Sequence, residues 1–308
     1  MPWPEGHEIA RSIARAVSAY DATARVRRLW ALEGGVSAQV VGIEIDQLGE
    51  VRHLVLRRHG VRELRANPTI TTDEYRLLEY LHAAGLAVPK PCFLDESKQI
   101  FDTPYLLLEF LPGQTDFDPA DMSHCIEQAA GMLDTIHRLD ICDPQLGFLV
   151  AKHTVLPGLP AGQPEKSEIS AVAEMILATL EPSWPLPAAN QVLIHGDFWP
   201  GNLLWNGPTL SGVIDWEAAG VADPLADLAN SRLEFLWAYG MATMKLFTAC
   251  YLDLYGRVAV ERLAYWDLFA ALHALGAIKW WRLESATERK MTLDLRWFVA
   301  RARERVAC

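Results

Sequence analysis

Residues 195–216 read HGDFWPGNLLWNGPTLSGVIDW, and this stretch decides what the rest of the chain must build. It carries Asp197, then Asn202 five residues on, then Asp215 thirteen further on. Apolar residues bracket all three: Val192, Leu193 and Ile194 before, Leu203 and Leu204 between, Val213 and Ile214 just ahead of Asp215. The pattern predicts a short strand over 191–194 and a loop over 195–202 broken by Gly196, Pro200 and Gly201. A second strand follows over 203–205, with its return over 210–214. Asn206-Gly207 is a strong hairpin turn signal. The hairpin would bring Asp215 back beside Asn202, with Asp197 at the same loop mouth. An amide oxygen and a carboxylate suit Mg²⁺ held against nucleotide phosphates. Asp197 has no lysine or arginine beside it in sequence and is free to orient an attacking hydroxyl. Taken singly, each of the three reads as a turn or strand-end residue; together, at this spacing, they point to phosphoryl transfer.

The pattern H-G-D-x-x-x-x-N, then I-D-W-E, then D-P-x-x-D-L-A, resembles the aminoglycoside phosphotransferase and choline-kinase-like superfamily. The resemblance implies an α+β, bilobal protein-kinase-like fold, with a small N-terminal antiparallel β-sheet lobe and a larger, mainly helical C-terminal lobe. It also implies a phosphotransferase with an alcohol group as acceptor, using Mg²⁺ and ATP (or GTP). Carried over residue by residue, Asp197 takes the catalytic position, Asn202 and Asp215 the metal positions, and His195 and Asp227 the support of the catalytic loop. The lobes would divide into 1–108 for the nucleotide and 109–308 for catalysis and the acceptor, joined by a linker at 109–113.

Upstream of this segment, 7–20 has helical spacing through Ile9, Ile13, Val17 and Tyr20. Strands are expected over 26–32, 36–45 and 51–57. Gly34 and Gly35, with Ser37 after them, would let backbone N–H groups approach phosphate, although a Gly-Gly pair is also an ordinary turn. Leu54-Val55-Leu56-Arg57 resembles the strand that ends in a phosphate-binding cation, here a guanidinium fork instead of an ammonium point charge. Glu74, on a helix expected to begin at Thr72, would pair with Arg57; it also fits a capping box with Thr71. The apolar strand 105–108 runs into Glu109-Phe110-Leu111-Pro112-Gly113, which resembles the interlobe linker. There the Glu109 carbonyl and the Leu111 N–H would meet an adenine edge.

Beyond the linker the pattern turns helical, over 119–139 and 169–180 and again after Asp223, an N-cap ahead of Pro224. His137 reads as a packed core histidine. Eleven tryptophans, five of them after residue 236, could wall an acceptor site or fill the core. Glu217 and Glu234 are the nearest carboxylates that could meet a cationic acceptor.

Composition bounds the alternatives. Apolar content of 51% excludes a disordered chain. A net charge of −11 argues against nucleic acid as a partner. Cys92, Cys125, Cys142, Cys250 and Cys308 lack C-x-x-C spacing, which points to reduced thiols, a cytoplasmic setting and no zinc site. The most apolar window, 263–281, holds Asp267, His273 and Lys279 and reads as a buried helix, so no membrane span is expected. The first residues lack a basic stretch leading into an apolar run, so no targeting segment is expected. Two rivals stand beside the kinase reading. One is a non-catalytic nucleotide-binding protein of the same fold; the other is a metal-dependent phosphohydrolase, which would need further His and Asp clusters.

Overall fold

Alternating apolar residues build the first part of the chain into one antiparallel sheet in the computed structural model. The structure describes residues 7–32, 38–115, 119, 121–158, 168–186, 190–256, 260–281 and 283–306. Helix α1 (His7–Tyr20) leads into β1 (Arg25–Ala31), β2 (Ala38–Gln47) and β3 (Glu50–His59). After them come the short α2 (Val61–Ala66), α3 (Ile70–Ala83), β4 (Pro91–Asp95) and β5 (Tyr105–Glu109). The strand order is β1-β2-β3-β5-β4, and every pairing is antiparallel.

β5 is buried on both faces, which explains its near-continuous apolar run, whereas β1 at the sheet edge is largely exposed. Ile43, Ile45, Leu54, Leu56 and Leu107 pack against Ile13, Ala16 and Val17 of α1. Leu106 and Leu108, on the other face of β5, join Leu77, Leu78 and Leu81 of α3 in the main core. Strand alternation therefore sends Arg57 to the α3 side, opposite Leu56. Burying a side chain the size of Leu77 or Leu81 stabilises the fold by roughly 1.5–3 kcal/mol.

The second part is mainly helical. It comprises α4 (Met122–His137), α5 (Glu168–Leu180), α6 (Pro224–Tyr239), α7 (Met241–Tyr255), α8 (Leu263–Ala277) and α9 (Ser285–Val306). Between α5 and α6 lie four short strands: β6 (Val192–Ile194), β7 (Leu203–Asn206), β8 (Thr209–Val213) and β9 (Gly220–Ala222). β7 and β8 form the expected hairpin about Asn206-Gly207, with Leu203 opposite Val213 and Gly207 at φ +59°. β6 pairs with β9, an unforeseen strand with too few residues to show a period. Asp223 caps α6 by accepting the Leu225 N–H at 3.0 Å, with Pro224 in the first turn.

One polar interruption of the apolar window, Asp267, is paired inside the fold. Asp267 of α8 is buried, and its two oxygens meet Nε and NH2 of Arg232 at 2.9 and 3.2 Å. No helix among the described residues is long and apolar enough to cross a membrane. Several expected element ends move, and β2 and β3 each run two residues past their expected ends. α3 starts at Ile70, and its cap residue Thr69 makes no side-chain cap bond, so the Thr71–Glu74 capping box is absent. α4 is shorter than 119–139 because Asp121 caps it by accepting the His124 N–H.

Candidate active site

The loop after β6 is held from below. His195 is fully buried; its Nε2 donates to the Ile214 carbonyl at 3.1 Å and its Nδ1 accepts the Asp197 N–H at 3.2 Å. Burial lowers the pKa of its ring, so neutral imidazole is favoured. Asp227, in the first turn of α6, takes two backbone donors of the loop. Its oxygens accept the N–H groups of His195 at 2.6 Å and Gly196 at 2.8 Å. Burial would raise the Asp227 pKa, but His137, His195 and the Gly196 N–H outweigh it, and the net shift is downward. One turn further along α6, the Ser231 hydroxyl donates to the Phe198 carbonyl at 2.7 Å.

Gly196 sits at φ +81°, where a Cβ would lie 2.4 Å from the Ala218 carbonyl oxygen. Only glycine fits that turn.

The three residues singled out from the spacing meet. Asn202 is buried, and its amide nitrogen donates to the Asp197 carbonyl at 2.9 Å and to Asp197 Oδ2 at 3.1 Å. Both amide donations go to Asp197, which leaves the amide oxygen as the side of Asn202 open to a cation. The Ile214 N–H donates to the Asn202 carbonyl at 3.0 Å, which sets Asp215 beside it. Asp215 itself adopts φ +66°, a left-handed conformation that turns it out of the β8 direction. Among the described residues no three His, Cys, Asp or Glu side chains gather into a metal cage. An amide oxygen plus one carboxylate fits Mg²⁺, which takes few protein ligands and completes its shell with phosphate and water.

Burial pushes the Asp197 carboxyl up to about 7, with the charges of Asp215, Glu217 and Asp227 adding and the Asn202 bond opposing. A carboxylate near half-ionised at neutral pH suits proton transfer from a hydroxyl.

Arg57 is buried and reaches three carboxylates. Nε donates to Glu74 Oε2 at 2.9 Å, and NH2 donates to Asp215 Oδ1 at 2.6 Å and Glu217 Oε2 at 2.8 Å. Burial opposes the charge of Arg57, but the three carboxylates overcome it and raise its pKa. Burial likewise opposes the charge of Glu74, and Arg57 with His59 holds its carboxyl at about 2. The Arg57–Glu74 contact is therefore an ion pair. A cleft of about 460 Å³ runs between sheet and helices and is lined by Arg57, Glu74, Glu109, Leu111, Asn202 and Asp215. The linker backbone is fixed, since Glu109 N–H donates to the Lys90 carbonyl and Phe110 N–H to that of His53.

Some expectations change. Glu217, expected to meet a cationic acceptor, is turned to Arg57, whose positive charge it already shares with Asp215. Burial, then the charge of Asp197, pushes the Glu234 carboxyl up to about 8. Gly34, Gly35 and Ser37 lie outside the described residues. Trp237 and Trp266 are buried and fill the core, while Trp281 is 36% exposed and Trp199, on the loop after β6, 38%.

Other contacts escaped the sequence reading. His137 of α4 lies 3.2 Å from Asp227 Oδ2 and 2.6 Å from the Tyr251 hydroxyl, and nothing local in sequence signals that bridge. His59, two residues after Arg57, was discoverable from strand alternation alone.

The family model described as phosphotransferase enzyme family matches residues 29–266. Viomycin phosphotransferase of Streptomyces vinaceus is 41% identical over 213 residues, covering 62% of this chain and 72% of that protein. Acyl-CoA dehydrogenase family member 10 of Mus musculus is 29% identical over 203 residues, 60% of this chain and 18% of that protein. The chain thus spans only 18–25% of the acyl-CoA dehydrogenase family members it matches. Among solved structures, a thermostable mutant of aminoglycoside phosphotransferase APH(4)-Ia in ternary complex with AMP-PNP and hygromycin B superposes with a TM-score of 0.62. It is 18% identical and covers 96% of this chain and 98% of that one. Macrolide 2'-phosphotransferase MphH of Brachybacterium faecium gives a TM-score of 0.59 at 18% identity, over 92% and 97% of the two chains. These structural likenesses carry the fold: sheet lobe and helical lobe are arranged as in the aminoglycoside phosphotransferases.

Proposed function

The chain belongs to the phosphotransferase enzyme family, and from that premise we propose that it transfers the γ-phosphoryl group of ATP to a hydroxyl of a small molecule. The reading is carried by one observation: Asn202 and Asp215 line the cleft together with Arg57 and the linker, and Asp197 is bonded to Asn202. In this reading residues 1–108 hold the nucleotide, 109–113 form the hinge, and 109–308 supply catalysis and the acceptor pocket. The setting is cytoplasmic, in keeping with free thiols at Cys92, Cys125, Cys142 and Cys250.

Each residue then has a task. Arg57, steadied by Glu74, binds the α- and β-phosphates. The Glu109 carbonyl and Leu111 N–H meet the purine edge. Asn202 and Asp215 would hold Mg²⁺, which neutralises phosphate charge when bound. Asp197 orients the acceptor hydroxyl and receives its proton. His195 and Asp227 keep the loop in shape, so that positioning is achieved before the acceptor arrives. Glu234, whose carboxyl burial and Asp197 hold largely protonated at neutral pH, would ionise on meeting an ammonium group of the acceptor.

The test is nucleotide consumption over a panel of hydroxylated amines, peptide and sugar antibiotics, homoserine and sugars. On the accepted substrate, Asp197→Ala is expected to lower kcat by about 10²–10⁴-fold while ATP affinity stays nearly unchanged. Turnover by the variant at the wild-type rate would remove Asp197 from the mechanism. ATP binding by wild type without Asp197-dependent consumption of any kind would favour a non-catalytic nucleotide-binding protein of the same fold.

A further inference from the structure

The proposed transfer leaves one buried group in the charged cluster without a role. His59 ends β3 two residues beyond Arg57, so both side chains leave the strand on the same face. Its side chain is fully buried. Nδ1 lies 3.0 Å from the Thr71 hydroxyl, while Nε2 lies 3.0 Å from Glu74 Oε2 and 3.5 Å from Glu217 Oε2. Carboxylates only accept, whereas a hydroxyl also donates, so the ring proton belongs on Nε2 and Nδ1 accepts from Thr71. Nε2 is aligned with neither carboxylate well enough for a straight hydrogen bond. It is a buried donor aimed between two acceptors.

Arg57 meanwhile commits NH2 to Asp215 and Glu217. To turn that nitrogen toward phosphate, it must release both oxygens. Glu217, whose side chain is 16% exposed, would then lose the guanidinium charge next to incoming phosphate anions. The donor already within reach is His59. We propose that His59 is a positioning residue of the phosphate clamp, holding Glu74 in place and taking over Glu217 when Arg57 turns to the nucleotide. Thr71 fixes the ring for this task. The inference rests on the reading of Arg57 as a phosphate ligand.

Calorimetric ATP binding in the presence of Mg²⁺ tests it on the full chain. His59→Leu is expected to weaken ATP by about tenfold, the scale of one charge-assisted hydrogen bond. His59→Gln, whose amide reaches the Nε2 position, should bind close to wild type, while His59→Asn, whose amide stops at the Nδ1 position, should behave like His59→Leu. This Gln/Asn pair keeps the test decisive if the leucine variant fails to fold. The double variant His59→Leu/Glu217→Gln should lose no more than His59→Leu alone, because the carboxylate to be taken over is gone. Glutamine and asparagine variants that both bind ATP like wild type would overturn the role of His59, as would losses that multiply independently in the double variant. Wild type that does not bind ATP would overturn the nucleotide reading, and this inference with it.

Discussion

Asp197 can ionise only against its surroundings, and that has a measurable consequence. Its carboxyl titrates at about 7 in the folded protein, against 3.8 for an ordinary aspartate, chiefly through burial and then the charge of Asp215. Between those values the folded chain holds a proton that the unfolded chain has released. Stability therefore falls as pH rises from about 4 to about 7 and is insensitive to this group above that. Asp197→Asn removes the penalty, so its melting temperature should exceed wild type by a margin that widens from pH 5 to pH 8. A margin independent of pH would show that the carboxyl is not perturbed. Sequence spacing located Asp197 but could not supply this property. The charges acting on it come from Asp215, Glu217 and Asp227, which only folding brings near.

At the scale of elements, the loop after β6, proposed as catalytic, is shaped by what it is tied to. β6 delivers it, Asp227 and Ser231 of α6 bind it, and the turn after β8 closes over it through Ala218. Gly196 is where these constraints meet. Gly196→Ala would place a methyl against the Ala218 carbonyl and force a left-handed alanine, at a cost of about 1–3 kcal/mol for the backbone conformation alone. We expect a lower melting temperature and loss of phosphoryl transfer, measured on the same preparation; an alanine variant as stable and active as wild type would refute the close approach. The α3 helix makes the complementary point. Thr71 and Glu74 fit a capping box by spacing, yet Thr71 bonds His59 and Glu74 bonds Arg57. A carboxylate inside the fold binds a buried cation in preference to a cap amide, because the unpaired guanidinium would cost far more.

The whole molecule is two unlike halves facing one cleft, and ligand binding should register on its global stability. ATP with Mg²⁺ at 100 times its Kd adds about 2.7 kcal/mol to a protein that binds it only when folded, so the melting temperature should rise by a few degrees. The rise should shrink in Arg57→Met, whose side chain cannot grip phosphate; an equal rise in both proteins would place the nucleotide elsewhere. The sequence alone determined the strands other than β9, the helices α1, α3, α4, α5, α6 and α8 but not α7 or α9, the Asn206-Gly207 hairpin and the Asp197–Asn202–Asp215 constellation. Those follow from hydrophobic period, turn chemistry and caps, which act over a few residues. Only the tertiary structure decided that Arg57 meets Glu217 across 160 positions, that His59 stands between Glu74 and Glu217, and that His137 backs Asp227. Electrostatic partnership depends on separation in space and on exclusion of water, and the linear order of residues encodes neither.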